Sequence, residues 1–81
     1  MKRTPLPKQK VTLTFVPNKW NRNLLQAQVD GRNVADINYW PEISANVPYH
    51  LYTNVRGQLI DEGQYPSRSA AEARANWRAN H

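Results

Sequence analysis

From residue 10 to residue 64 the apolar side chains return at every second position, run after run, with a turn signal between runs. A period of two lays such residues on one face of an extended strand and cannot build a helical stripe. In residues 10–16, Val11, Leu13 and Phe15 share one face, and Thr12 and Thr14 share the other. In residues 24–29, Leu25, Ala27 and Val29 oppose Gln26 and Gln28; in 32–40, Ala35, Ile37 and Tyr39 align. Residues 49–55 set Leu51, Thr53 and Val55 against His50, Tyr52 and Asn54. A shorter strand at 58–64 carries Leu59 and Ile60, with Gly63 as a bulge. Strands with one polar face predict an antiparallel sheet covered on one side only.

Asp30-Gly31 and Arg56-Gly57 mark the hairpin turns, and Pro41 and Pro48 bracket a loop without periodicity. A two-residue Asp30-Gly31 loop in plain register would pair Ala27 with Val34 and Leu25 with Asp36, mixing the two faces. The sequence therefore predicts a three-residue loop with Gly31 in a left-handed bulge position, pairing Leu25 with Ala35.

The period then changes. Ser69 and Glu72 fit a capping box, which predicts a helix from Ala70 to about Ala79. On a 100° wheel Ala70, Ala73 and Trp77 cluster, so Trp77 is expected to anchor helix to sheet. The expected fold class is α+β, an antiparallel sheet of four to five strands with one C-terminal α-helix packed on one face. The expected core is Val11, Leu13, Phe15, Leu25, Ala27, Ala35, Ile37, Leu51, Val55, Leu59, Ala73 and Trp77.

Over residues 49–77 the order strand, glycine turn, strand, capped helix resembles the sheet-plus-helix DNA-binding modules of AP2 and integrase arm-binding type. The likeness is one of architecture. It implies a sheet-plus-helix fold that touches DNA, and it carries over no functional residue.

Eighty-one residues make one small domain. With no cysteine, a disulfide scaffold and a cysteine zinc site are excluded. No apolar run approaches the ~20 residues that span a bilayer, and the chain does not open on a secretory pattern, which favours the cytoplasm. The formal net charge is +5, from eleven Lys and Arg against six Asp and Glu. Lys2, Arg3, Lys8 and Lys10 fall in the first ten residues, which contain no acid. The rest of the chain carries seven basic and six acidic residues, so the charge is concentrated in an arm. Pro5 and Pro7 are expected to hold residues 1–9 extended, with residues 10–81 as the domain. Such an arm suits contact with phosphates, and it equally suits a solvated tail.

Catalysis finds little support. The histidines are His50, on a strand, and His81. Asp61 and Glu62 are adjacent, so on a strand they point to opposite faces and cannot share a substrate. There is no glycine-rich phosphate loop and no metal-ligand spacing. No enzyme activity, cofactor or metal is expected.

Binding residues are better represented. The outer sheet face is expected to carry Thr12, Thr14, Gln26, Gln28, Asn38, His50, Tyr52 and Asn54, with Asp36 as its one acid. Amides of this kind pair well with base edges, and the same face equally suits a polar protein interface or the plain solvated side of a one-sided sheet. Trp20 sits between Lys19 and Arg22, and Trp40 precedes the central loop. Aromatics beside cations grip unpaired bases, and they also anchor protein interfaces. At least one of Trp20 and Trp40 is expected in the core. Arg68, Arg74 and Arg78 make the helix basic, for backbone contact with DNA or to offset the helix dipole. The leading expectation is a small non-enzymatic nucleic-acid-binding or accessory protein. It would use Lys2, Arg3, Lys8, Lys10, Lys19, Arg22, Arg74 and Arg78. The alternative is a protein-binding module, such as a phage- or plasmid-type inhibitor of a host complex, acting through Trp20, Trp40 and a face containing Tyr52. No membrane association is expected, and the protein would be a monomer or a weak dimer.

Overall fold

A computed structural model describes residues 11–80. The arm expected at 1–9, with Lys2, Arg3, Lys8 and Lys10, lies outside the described residues. The elements are β1 (Thr14–Pro17), β2 (Leu24–Val29), β3 (Arg32–Tyr39), β4 (Tyr49–Val55), β5 (Gln58–Tyr65) and α1 (Arg68–Ala79). The five strands pair antiparallel in sequence order, and α1 lies over β3, β4 and β5. This is the α+β class that the alternating runs demand.

β1 starts at Thr14 rather than at residue 10 and continues through Pro17. It is an outer strand, where a missing N–H leaves no ladder bond broken. Leu13, just before it, is still buried.

The first hairpin corrects the turn expectation. Val29 pairs with Arg32, so Asp30-Gly31 is a two-residue loop. Both residues have positive φ, 52° and 79°, as a type I′ turn requires. Glycine meets that demand without a Cβ clash. The face conflict is resolved further along. Gln28 pairs with Asn33 but Ala27 pairs with Ala35, so Val34 is an extra residue. This bulge turns Ala35, Ile37 and Tyr39 to the covered face, and Leu25 meets Ile37 instead of Ala35.

The second hairpin repeats the device. Arg56-Gly57 is a two-residue turn with φ of 53° and 82°. Tyr52 pairs with Asp61 but Leu51 pairs with Gly63, leaving Glu62 as the extra residue beside the expected Gly63 bulge. The shift turns Tyr65 toward the covered face, where it packs against the core and donates its hydroxyl to the Glu62 carbonyl at 2.8 Å.

The helix corrects the cap and the buried face together. Its N-cap is Ser67, whose Oγ accepts from the Ala70 N–H at 3.1 Å, and Ser69 lies inside the first turn. Glu72 is therefore not a capping-box residue. It pairs instead with Arg68 one turn back, at 2.6 Å. Ala71 and Ala75 face the sheet and are buried. Ala73 is exposed, and Trp77 is 43% exposed. Ala71, Ala75 and Ala79 recur every fourth residue, and a stripe that small brings the helix close to the sheet. An indole at its centre would hold the two layers apart.

The buried apolar core is Leu13, Ala27, Ala35, Ile37, Leu51, Ala71 and Ala75, with Thr53 buried among them. Val11, Phe15 and Leu25 pack half-buried around it. Two more expected members are outside. Leu59 is 65% exposed because it pairs with Asn54 on the open face, while its neighbour Ile60 opposes Thr53 on the other. Val55 ends its strand at the turn and is exposed.

Ser67→Ala should lower stability by about 1 kcal/mol in urea unfolding, whereas Ser69→Ala should leave the midpoint nearly unchanged. Arg56→Asn should raise stability by ~0.5 kcal/mol or more. Asparagine tolerates the left-handed conformation that arginine occupies there at a cost.

Candidate nucleic-acid interface

The face of the sheet away from α1 has no element over it among the described residues. Val16, Gln26, Asp36, Tyr52 and Asp61 lie in register across all five strands of this open face. Beside them run Leu24, Asn38, His50 and Gln64. His50 and Tyr52 are two residues apart on β4 and therefore share the face. Their rings stack at 4.6 Å with planes 4° apart. Trp40, just past β3, meets the His50 ring edge-on at 5.6 Å. Three aromatic side chains thus form one array, with Gln26, Asn38 and Gln64 around it.

Asp61 orients the middle ring. His50 Nε2 donates to Asp61 Oδ1 at 2.7 Å, and the same oxygen accepts the Gly63 N–H at 2.8 Å. These two bonds, the histidine's first, hold the Asp61 carboxyl below its ordinary pKa. Asp36 is engaged by the Asn33 amide at 2.9 Å. The open face is therefore amide-rich and aromatic, with its two acids already occupied.

On the covered face Glu62 is the counterpart of Asp61, and adjacent strand residues do point opposite ways. The Glu62 side chain is 3% exposed. Arg78 grips it through Nε–Oε2 at 2.6 Å and Nη2–Oε1 at 3.0 Å, and Thr53 Oγ1 donates at 2.7 Å. Arg74 Nε stands 3.5 Å away. Both guanidinium groups also sit over the Trp77 ring, at 4.2 Å for Arg74 and 5.3 Å for Arg78. The helix arginines are thus tied into the fold. The bonds from Arg78 lower the Glu62 carboxyl to about 2 against burial, which opposes them.

The remaining expected residues gather at one end of the sheet. In the loop between β1 and β2, Asn18 Oδ1 accepts the N–H groups of Trp20 at 2.8 Å and Asn21 at 3.0 Å. Asn21 Oδ1 accepts the Asn23 N–H at 3.0 Å. These Asx turns fix the loop that carries Lys19, Trp20 and Arg22. Trp20 is 91% exposed. Trp40 is half-buried, so neither tryptophan enters the core. A sheet and helix joined through alanines leave no room for an indole.

The array joins the predicted Trp40 and Tyr52, but it does so through His50 and Asp61, which were not among the expected binding residues. Alternation along β4 places His50 beside Tyr52. The partner across the strand follows from the two-residue Arg56-Gly57 turn, which sets Asp61 opposite Tyr52 before the bulge at Glu62 begins. Among the described residues no three His, Asp or Glu side chains gather as a metal site would need, and no helix is long and apolar enough to cross a membrane. The chain matches no family model, no curated protein and no solved structure.

The Glu62 carboxyl has a pH signature. Its pKa in the folded chain lies below the ordinary 4.5, so its stabilising contribution is complete above pH 4.5. That contribution is lost as pH falls from 4.5 toward 2, at a cost on the order of 2 kcal/mol. Thermal melts should show this decline. Glu62→Gln should melt lower at neutral pH and lose most of the decline within that window.

Proposed function

We propose that the protein is a non-enzymatic module that binds single-stranded nucleic acid across the open face of its sheet. The observation that carries this reading is the Trp40, His50 and Tyr52 array on a face that no helix covers among the described residues. Unpaired bases stack on exposed aromatic rings whatever their identity, and side-chain amides beside the rings reach base edges. A platform that carries the Asp36 and Asp61 carboxylates cannot hold phosphates alone. The net charge of +5, with four basic residues in the first ten positions, would supply that attraction.

The test is a titration of fluorescent single strands and duplexes at two salt concentrations. Single strands should bind more tightly than duplex. Tyr52→Ala should weaken binding by tenfold or more, since a stacked base contributes about 1–3 kcal/mol. Deleting residues 1–9 removes Lys2, Arg3 and Lys8 and should flatten the slope of log K against log salt by about 2. No binding to either form at low salt, where screening is weakest, would sink the reading.

A second reading, a protein-binding module, is favoured by Trp20 alone. An almost fully exposed indole on a loop fixed by Asx turns is a ready interface anchor. Trp20→Ala separates the two, because it should leave nucleic-acid affinity nearly unchanged if the open face is the site.

A further inference from the structure

Directly behind the aromatic array, on the covered face, the same two strands line a cleft of about 210 Å³. Tyr39 and Tyr49 are the chain neighbours of Trp40 and His50 and point to the opposite side of the sheet. Their rings lie 5.0 Å apart, tilted by 41°. Leu25 and the buried Ile37 form an apolar floor, and Arg22 and Arg68 stand at the rim. Among the described residues no acidic side chain lines the cleft. Arg68 donates its Nε to Glu72, which steadies the side chain while its Nη groups keep their hydrogens for a ligand. Arg22 has no carboxylate within ion-pair distance among the described residues.

An apolar floor, two aromatic walls and two cations at the mouth call for a ligand that is flat at one end and anionic at the other. The volume decides its size. Sites for drug-sized ligands begin near about 300 Å³, so this cleft takes a single ring system, leaving the charged group at the rim. Arginine is suited to that position, because its fork meets phosphate oxygens in pairs.

We propose that this cleft binds one nucleoside monophosphate, its base against Tyr39 and Tyr49 and its phosphate at Arg22 and Arg68. The ligand is either a free nucleotide or the phosphorylated end of a strand whose interior lies on the open face. The strand-end form rests on the proposed function; the free-nucleotide form does not.

The experiment is a nuclear magnetic resonance titration of the isotope-labelled 81-residue chain. The probes are nucleoside 5′-monophosphates, the matching nucleosides, inorganic phosphate, and a short single strand with and without a 5′-phosphate. Monophosphates should shift the backbone amides of Arg22, Tyr39, Tyr49 and Arg68, with nucleoside and phosphate each binding at least tenfold more weakly. Arg22→Gln should weaken the monophosphate at least tenfold. Arg56→Asn, which removes the same charge at the opposite hairpin turn, should not. A strand that gains affinity from its 5′-phosphate, in a manner lost in Arg22→Gln, identifies the strand end as the ligand. Monophosphate binding with no gain from the terminal phosphate identifies the free nucleotide. The proposal is overturned if millimolar monophosphate leaves the four amides unshifted, or if Arg22→Gln and Arg56→Asn weaken binding equally. Should strands still bind in a Tyr52-dependent way, only the cleft assignment falls; should strands fail as well, both readings fall.

Discussion

One buried carboxylate sets how the two layers of this fold meet. The helix presents mainly alanine to the sheet, and alanine methyl groups bury little area and interlock weakly with what lies beneath. Such a contact permits close approach but does little to select an angle or a register. Glu62 supplies that selection. It is taken out of water on β5 and is held by Arg78 of the helix and Thr53 of β4. A charge in that position tolerates few other arrangements, because a helix turned so that neither Arg74 nor Arg78 reached it would leave it buried and unpaired. The same geometry draws Arg78 and Arg74 inward, and Trp77 lies flat against them at the surface.

This explains which part of the helix is legible in the sequence. Its existence follows from the change of period after Pro66. Its orientation does not, because hydrophobicity alone nominates the tryptophan as the buried anchor. The deciding residue lies on another strand, and nothing near Trp77 announces it. The cap is hidden for a related reason. Ser67 and Ser69 are both suitable caps, and only Ser69 has a glutamate three residues on to complete a capping box. That glutamate, Glu72, gives its carboxylate to Arg68 instead, and the cap falls to Ser67.

The sheet is more fully legible, since a period of two leaves little freedom once a turn is located. Four strands and both turns fall within a residue of where alternation puts them. The parity conflict in the first hairpin is also real. A conflict of this kind can be relieved in the turn or in a strand, and the sequence does not distinguish the two. Here the turn stays short and Val34 takes up the extra residue. Such displacements also control the candidate site. The bulge at Val34 sets the parity that brings Tyr39 to the covered face, so that Trp40 after it meets His50 on the open one. The bulge at Glu62 leaves Asp61 beside His50 while Tyr65 turns inward. Residue types on the open face can be named from the sequence. The stacking of His50 on Tyr52 follows from alternation along β4, and the carboxylate that steadies it from the two-residue turn that sets Asp61 opposite Tyr52.

The last helical cap has a consequence of another kind. The Asn80 side chain accepts the Val11 N–H at 2.6 Å and donates to the Val11 carbonyl at 3.1 Å, so a single amide imitates a neighbouring strand. It bridges positions 69 residues apart in the chain. The first and last parts of the described fold therefore leave it side by side. Chain segments that enter and exit together behave as a cartridge: the unit can be seated in a surface loop of a larger protein, or have its ends joined and be reopened at a hairpin, without pulling its layers apart.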